Sequence, residues 1–526
     1  MKRMAKHISA MCLAAAALAA PAPATAYSFM QGGIAYEVSG SRAIVTSTSS
    51  GTDNYSGLLQ VRVPATTTHG GVTYRVSMIN DRAFMNCASL RFVKVLDGIT
   101  RLGSQTFAAC PLLARVTIPT GVNELGYALF DGCTSLENVD IPLSVQSIDT
   151  YCFRDCHSLT QVTVPSTVTN IQNGAFKNCL ALEDVALGDG FSILRTETFA
   201  GCVALRSIDI PNSVLKVEER AFDGCTSLQT VWIGSQVDSI HTFAFSGCTG
   251  MEHFEVDWRN TNYSSRDGVL YNASRQELVR YPIGRSDTHY TVPYRVKNLR
   301  EYALSGCVHL EQLGFENGLQ VVGDYAISQC NKLAEVDFPL SLIAVGNGAM
   351  KDCPALRHVF FEAGVKRLGS RIFEGCPALS DVHMRSRRPD TLSVALDAFE
   401  GVPAKARLYV PPGTVPLYEQ MACFAPFGKI IEEGRELEGD VNRDEVVNGA
   451  DVTALYNYLL YENDNEDDGE EDRTSYDVNH DGVINGSDVT ALYKILLEKS
   501  SLQAFVPGPS AQASGIPIGV PAAILL

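Results

Sequence analysis

Two stretches near the C-terminus hold the residues best spaced to do chemistry: DVNRDEVVNGADVTALY beginning at Asp440 and DVNHDGVINGSDVTALY beginning at Asp477. In each, oxygen-bearing side chains fall at positions 1, 3, 5, 9 and 12 of a twelve-residue loop. They are Asp440, Asn442, Asp444, Asn448 and Asp451 in the first copy, and Asp477, Asn479, Asp481, Asn485 and Asp488 in the second. A hard cation needs six to eight oxygens converging on one point, and this spacing wraps them around it, with the backbone carbonyls of Val446 and Val483 at position 7. Gly482 supplies the sharp turn at position 6, where the first loop has Glu445; the first site is therefore expected to be the weaker. An acidic helix pair with chance spacing would not repeat all five ligands twice and follow both loops with Asp-Val-Thr-Ala-Leu-Tyr. Position 12 is Asp rather than Glu and each loop precedes a single helix, so these are not ordinary EF-hands.

The rest of the chain is built on a different repeat. Cys87, Cys110, Cys133, Cys156, Cys179, Cys202, Cys225 and Cys248 fall every 23 residues, and Cys307, Cys330, Cys353 and Cys376 resume the interval. Each copy reads Cys-x-x-Leu-x-x-Val-x-Ile-Pro-x-x-Val-x-x-Ile, then Ala-Phe or its equivalent, then the next Cys. A fixed short period means one unit stacked many times. Leu136, Val139 and Ile141 mark a strand whose Val139 and Ile141 point inward and Asn138 and Asp140 outward. Pro142 must end it, because proline cannot donate to a ladder. Val145 and Ile148 turn the chain back across the core, and a short helical turn is expected to carry Phe153 inward. No single copy buries enough apolar surface to offset the cost of ordering its backbone, so stacking makes the fold.

Length, charge and cysteines set the boundaries. Of the 526 residues, 1–26 have a basic start, an apolar run and small residues before Tyr27, the pattern of a secretory signal peptide. No later segment is apolar enough to span a bilayer, so the mature chain is expected outside the cell, secreted or held at a surface. The net charge of −17 is concentrated: Glu432 to Lys499 holds twenty acidic and five basic residues. The remainder is near neutral, which excludes a nucleic-acid-binding face. Cysteines stacked one coil apart are within reach of disulfide bonds, and a ladder of free thiols fits the same spacing. The burial habit of Cys favours free thiols, with Cys152 also a small core residue.

The domain boundaries follow. Residues 27–78 form an N-terminal cap of a few strands, 79–402 the repeats, 403–431 a C-terminal cap, 432–438 a linker, 439–499 the metal-binding module and 500–526 a disordered tail. One interruption of the repeat, at about 257–291, is expected to be a β-hairpin of Val269–Tyr271 and Leu278–Tyr281, either ornament or binding protrusion. The outward strand positions are mixed and short. His253, His358 and His383 are expected on a solvated face, with no Ser/His/Asp grouping. Trp232 and Phe360 are candidates for a protein or sugar contact.

The phrases Cys-x-x-Leu-x-x-Val-x-Ile-Pro and Ala-Phe-x-x-Cys, with the Tyr-Ser-Ser-x-Asp-Gly-Val-Leu-Tyr insertion and the Leu-Tyr-Val-Pro-x-Gly-Thr ending, resemble the BspA-like leucine-rich repeat proteins of bacteria. Residues 439–499 resemble a type I dockerin. Together these imply an α/β leucine-rich-repeat solenoid, right-handed, with capping β elements, plus a small all-α dockerin that binds two calcium ions. The resemblance also implies a partner, a cohesin domain of a scaffoldin or surface protein, with Gly449, Ala450, Gly486 and Ser487 at the recognition positions. For the solenoid it implies a host matrix protein as ligand, and a glycan is the other candidate. The reading is of a non-catalytic binding or adhesion protein; the alternatives are a component of a polysaccharide-degrading complex and a structural spacer. The repeats leave no room for a catalytic domain.

Overall fold

The computed structural model describes residues 27–48, 54–433, 441, 447, 449–459, 476–479 and 483–503. The expected signal peptide and most of the linker and tail lie outside these residues. The chain divides into two compact units, the repeats with their caps and a C-terminal helical unit.

Each coil of the repeat unit contributes two strands to two parallel ladders. In the first ladder Gln161–Val164 pairs with Asp184–Leu187, residue 161 opposite 184, a step of one repeat. Its inward Val162 and Val164 are buried and its outward Gln161 and Thr163 exposed, as the alternation of a half-buried strand requires. The proline after the strand closes a turn, Val168 N–H donating to the Pro165 carbonyl at 3.0 Å. A two-residue strand then forms the second ladder, Ser147–Ile148 pairing with Asn170–Ile171. About fifteen coils stack this way into a β-solenoid with little helix.

The short helical turn expected ahead of each Cys is instead a pair of tight turns. In most coils two residues adopt left-handed backbone: Ala128 and Gly132 before Cys133, Tyr151 and Asp155 before Cys156, Glu197 and Gly201 before Cys202. A left-handed residue at every fourth position forbids a continuous right-handed helix. Alternate N–H groups turn sideways to the next coil, Tyr151 to Asn173, Phe153 to Ala175 and Asp155 to Lys177, at 2.8 to 3.2 Å. These inter-coil bonds hold tyrosine and glutamate in a conformation that glycine usually takes.

Phenylalanine and cysteine fill this inner corner. Phe84, Phe107, Phe130, Phe153, Phe176, Phe199, Phe222 and Phe245 stack in one column with ring centroids 5.2 to 5.6 Å apart. All fourteen described cysteines are free and buried, which resolves the choice between disulfides and thiols. From Cys110 to Cys248 and from Cys330 to Cys376, each thiol of the column donates back one coil to the carbonyl of the preceding phenylalanine or its equivalent. Cys133 reaches Phe107 at 3.1 Å, Cys156 reaches Phe130 at 3.3 Å, Cys179 reaches Phe153 at 3.2 Å and Cys376 reaches Met350 at 3.1 Å. Burial pushes the thiols of Cys133, Cys156 and Cys225 well up. Cys248 is raised to about 12, also by burial, with the Arg280 guanidinium opposing the rise.

The ladders begin inside the region read as cap. Gln60–Val63 pairs with Phe92–Val95 in the first ladder, and Met78–Ile79 with Arg101–Leu102 in the second. Asn54 closes the open end by donating to the Ala83 and Met85 carbonyls, and Tyr55 lies on Phe84 at 4.9 Å. At the other end Arg407–Val410 and Lys429–Glu432 extend the first ladder, and Phe399 is covered by Phe424 and Phe427.

The insertion is a three-stranded meander rather than a simple hairpin. Tyr263–Arg266 pairs with Val269–Asn272 across an Asp267-Gly268 turn whose residues both have positive φ, the geometry that matches strand twist. The third strand, Glu277–Arg280, pairs in parallel with Asn298–Leu299, so the meander is woven into the second ladder. The departure point is Asn260, which by register stands where earlier coils bury Val237 and Val214. It donates to the Gly234 and Val237 carbonyls and accepts from the N–H groups of Asn262 and Tyr263. Asn260→Ala is expected to cost about 3 kcal/mol, because it leaves these buried groups unpaired. The urea midpoint measures this, and an unchanged midpoint would show that the meander is held by other contacts.

Candidate functional site

The helical unit is built from two helices, α1 (Gly449–Asn457) and α2 (Gly486–Gln503), each beginning at the end of one acidic loop. The second runs past the boundary read at residue 499. Val452, Leu455, Val489 and Leu492 face inward and form a core with Val441 and Val478. Corresponding residues of the two copies thus pack against each other, and Tyr458 stacks on Tyr476 at 4.6 Å. Asp451 and Asp488, the twelfth residues of their loops, lie in the first turn of the helices, where the dipole favours a carboxylate. Both are completely buried.

Asp488 organises the second loop. Its two oxygens accept the N–H groups of Asn479 at 3.2 Å and Asn485 at 2.8 Å, so loop positions 3, 9 and 12 are drawn together. Asn485 in turn accepts from the Ser487 N–H and donates to the Val483 carbonyl, while Asn479 donates to the Ser487 hydroxyl. Asp477 is half-buried, and the Val483 side chain points to solvent, 59% exposed. Asp440, Asn442, Asp444, Val446, Asn448 and Asp481 lie outside the described residues, as does Glu445. A donor set made only of carboxylate, amide and carbonyl oxygens, closed by a fully buried carboxylate in each copy, suits a hard cation such as calcium.

Of the expected recognition positions, Gly449, Gly486 and Ser487 are exposed at the helix starts, and Ala450 lies in the same first turn as Gly449. They continue into stripes absent from the sequence reading. Gly449, Thr453 and Tyr456 are exposed on one helix, and Gly486, Thr490, Tyr493 and Leu497 on the other. The steps of four, three and four residues place each set on one helical face. The identical Asp-Val-Thr-Ala-Leu-Tyr phrases already contained this signal.

The outward face of the solenoid differs from the expected solvated surface at one end. His253 is exposed, but His383 is sandwiched between Phe360 at 4.2 Å and Tyr409 at 4.5 Å. His358 lies 3.1 Å from Asp381, which is buried and also accepts from Arg407. Ser380 donates to the same carboxylate at 2.7 Å. The hydroxyl therefore meets the acid and not the imidazole, so Ser380, Asp381 and His358 do not form a nucleophile with its base. Trp232 is half-buried on its strand.

Comparison with known families gives two matches. The BspA type leucine-rich repeat region matches in six copies over residues 77–206, 170–276 and 285–401, more than half of the chain. The dockerin type I domain matches residues 438–497. A leucine-rich repeat protein from Bacteroides ovatus aligns at 21% identity over 73% of this chain and 100% of its own, with a TM-score of 0.49. A leucine rich cell surface protein from Faecalibacterium prausnitzii aligns at 28% identity over 77% and 95%, TM-score 0.46. The pneumococcal vaccine antigen PcpA aligns at 17% over 77% and 98%, TM-score 0.48. No curated protein sequence matches. No catalytic domain is among the matches, and no helix among the described residues is long and apolar enough to cross a membrane.

Proposed function

The chain belongs to the BspA-type leucine-rich repeat family and ends in a type I dockerin, and from that premise we propose an exported, non-catalytic binding protein held in place by its C-terminus. The solenoid recognises a protein or glycan. The dockerin attaches it, through calcium, to a cohesin domain on a scaffoldin or surface protein. The observation that carries this reading is the duplication in the helical unit, where the two copies place Asp451 and Asp488, and then Tyr456 and Tyr493, at corresponding points.

Asp440, Asn442, Asp444, Val446, Asn448 and Asp451 would hold one calcium ion, and Asp477, Asn479, Asp481, Val483, Asn485 and Asp488 a second. Bound calcium supplies positive charge that offsets the repulsion among these carboxylates. The chain's own contribution is orientation. Asp451 and Asp488 tie each loop to the first turn of its helix, and that turn begins the exposed stripe. Gly449-Ala450 and Gly486-Ser487 present small, near-identical surfaces, suited to docking in either of two orientations. The test is capture of the full chain on an immobilised cohesin in calcium, with a screen of the captured solenoid against matrix proteins and glycans. Glycosidase or protease activity in the purified chain would overturn the non-catalytic reading.

A further inference from the structure

Among the described residues, the two coils that flank the insertion share a feature found on no other coil, an exposed aromatic followed by an arginine at one turn position. By register, the second residue after each first-ladder strand sits in the turn that leaves it; Leu143 and Leu340 are exposed leucines at this position with no arginine after them, and the four successive coils after Leu143 place Ser166, Asp189, Asn212 and Ser235 there. The next coil places Trp258, 90% exposed, the most exposed large apolar side chain among the described residues. The first coil after the insertion places Tyr294, 57% exposed. Each aromatic is followed by an arginine whose guanidinium carbon lies 5.8 Å from its ring centroid, Arg259 by Trp258 and Arg295 by Tyr294.

Neither turn is loose. Asp257, buried, takes a bidentate pair from Arg259 at 3.0 and 2.7 Å and also accepts the Arg259 N–H, and Asn260 N–H closes the turn on the Asp257 carbonyl. Asn260 is itself fixed by its four bonds. The Tyr294 turn is closed by Val296 N–H on the Pro293 carbonyl and by Tyr294 N–H on the Glu316 carboxylate at 2.6 Å, and Arg295 donates to the Tyr294 hydroxyl at 3.1 Å. Leaving an indole in water on a clamped turn loses the stabilisation that burial would give, about 2 kcal/mol or more, so folding does not explain its position.

Charge narrows the ligand. Residues 257–300 carry eight Arg or Lys against four Asp or Glu, in a chain of net charge −17. Among the described residues Arg275, Arg295 and Lys297 have no carboxylate within ion-pair distance. Lys297 is tied to the end of the meander, its N–H donating to the Gln276 carbonyl beside Arg275. Exposed aromatic faces stack on flat apolar surfaces, and guanidinium groups beside them pair with oxyanions. An acidic sugar carries both on one ring, an apolar C–H face and a carboxylate or sulfate. An acidic peptide offers the charge without that face.

We infer that the exposed rings of Trp258 and Tyr294, with Arg275, Arg295 and Lys297, bind an acidic glycan chain made of uronic or sulfated sugars. This deepens the proposal that the solenoid is a binding surface. The test uses the full chain in calcium. In a Trp232→Phe background Trp258 is the one remaining tryptophan, since the sequence has two. A galacturonate hexamer or a heparin hexasaccharide is expected to shift its emission to the blue saturably, and the stronger of the two identifies carboxylate or sulfate as the preferred anion. Cellohexaose and hexaglutamate should not produce the shift. By calorimetry, Trp258→Ala and Arg295→Ala are each expected to weaken the acidic hexasaccharide at least tenfold, with the thermal midpoint unchanged. No shift with either acidic sugar, equal binding of hexaglutamate, or undiminished binding by Trp258→Ala would each overturn the inference. Cohesin capture of the same preparations separates the two claims: loss of sugar binding with capture intact rejects this site alone, and loss of capture rejects only the anchoring.

Discussion

Raising the pH from 8 to 10 is expected to destabilise the solenoid steeply, because its core is lined with thiols that cannot ionise in place. In the unfolded chain a cysteine titrates near pH 8.5. In the folded chain burial pushes Cys133, Cys156, Cys202 and Cys225 well above their ordinary range and Cys248 to about 12. Below pH 8.5 both states hold their protons and the stabilisation is complete. Above it the unfolded state releases protons that the folded state keeps, so stability falls until the folded thiols also titrate. Each such thiol contributes a slope of about 1.4 kcal/mol per pH unit. Coils unfold with their neighbours, so five coils opening together would lose roughly 7 kcal/mol per unit. Urea midpoints at pH 8, 9 and 10 measure the slope, and the double variant Cys202→Ala, Cys225→Ala should flatten it by two thiols' worth while starting lower at pH 7. Equal midpoints at pH 8 and 10 would contradict the raised thiols.

Removal of calcium has the other large expected effect. Asp488→Ala takes away the carboxylate that gathers Asn479 and Asn485, and a cation bound only by the folded loop stabilises it in proportion to its affinity. Cohesin affinity is expected to fall by roughly a hundredfold, about 2.7 kcal/mol. A chelator added to the unaltered chain should abolish capture and reduce the helical signal at 222 nm, with the unfolding of the solenoid unaffected. Asp451→Ala should have the smaller effect, since Glu445 stands where its loop needs a sharp turn. Capture and circular dichroism that survive chelation would refute the role assigned to the loops.

The two kinds of repeat were legible to different depths. Alternation around Val139 and Ile141 revealed the strand because side-chain polarity is written in the residue types. The turn ahead of each Cys was misread because its backbone is set by bonds between coils. Tyr151 and Glu197 have no preference for positive φ, and only the N–H groups given to Asn173 and Glu219 one coil away put them there. Asn260 escaped for a similar reason: a polar residue in a valine position reads as a loop until its four partners are known. His383 looked like one more exposed histidine, and its aromatic neighbours Phe360 and Tyr409 come from the adjacent coils. In the dockerin, ligand spacing within a single loop was visible at once, while the Thr453–Tyr456 and Thr490–Tyr493 stripes needed the helix faces to be assigned.

The backward reach of the thiol bond also bears on how such a gene can change. Cys156 is served by Phe130, and Cys179 by Phe153, so from Cys110 to Cys248 each coil asks of its predecessor the same acceptor. A recombination event that adds or removes whole repeats among Cys110 to Cys248 leaves each donor with a partner of the same kind. One that breaks the 23-residue frame strands a thiol and a carbonyl together. Variants of this gene should therefore differ in length by whole coils on the N-terminal side of the insertion, with the Trp258 and Tyr294 turns carried along unchanged as the fixed end of one adjustable arm.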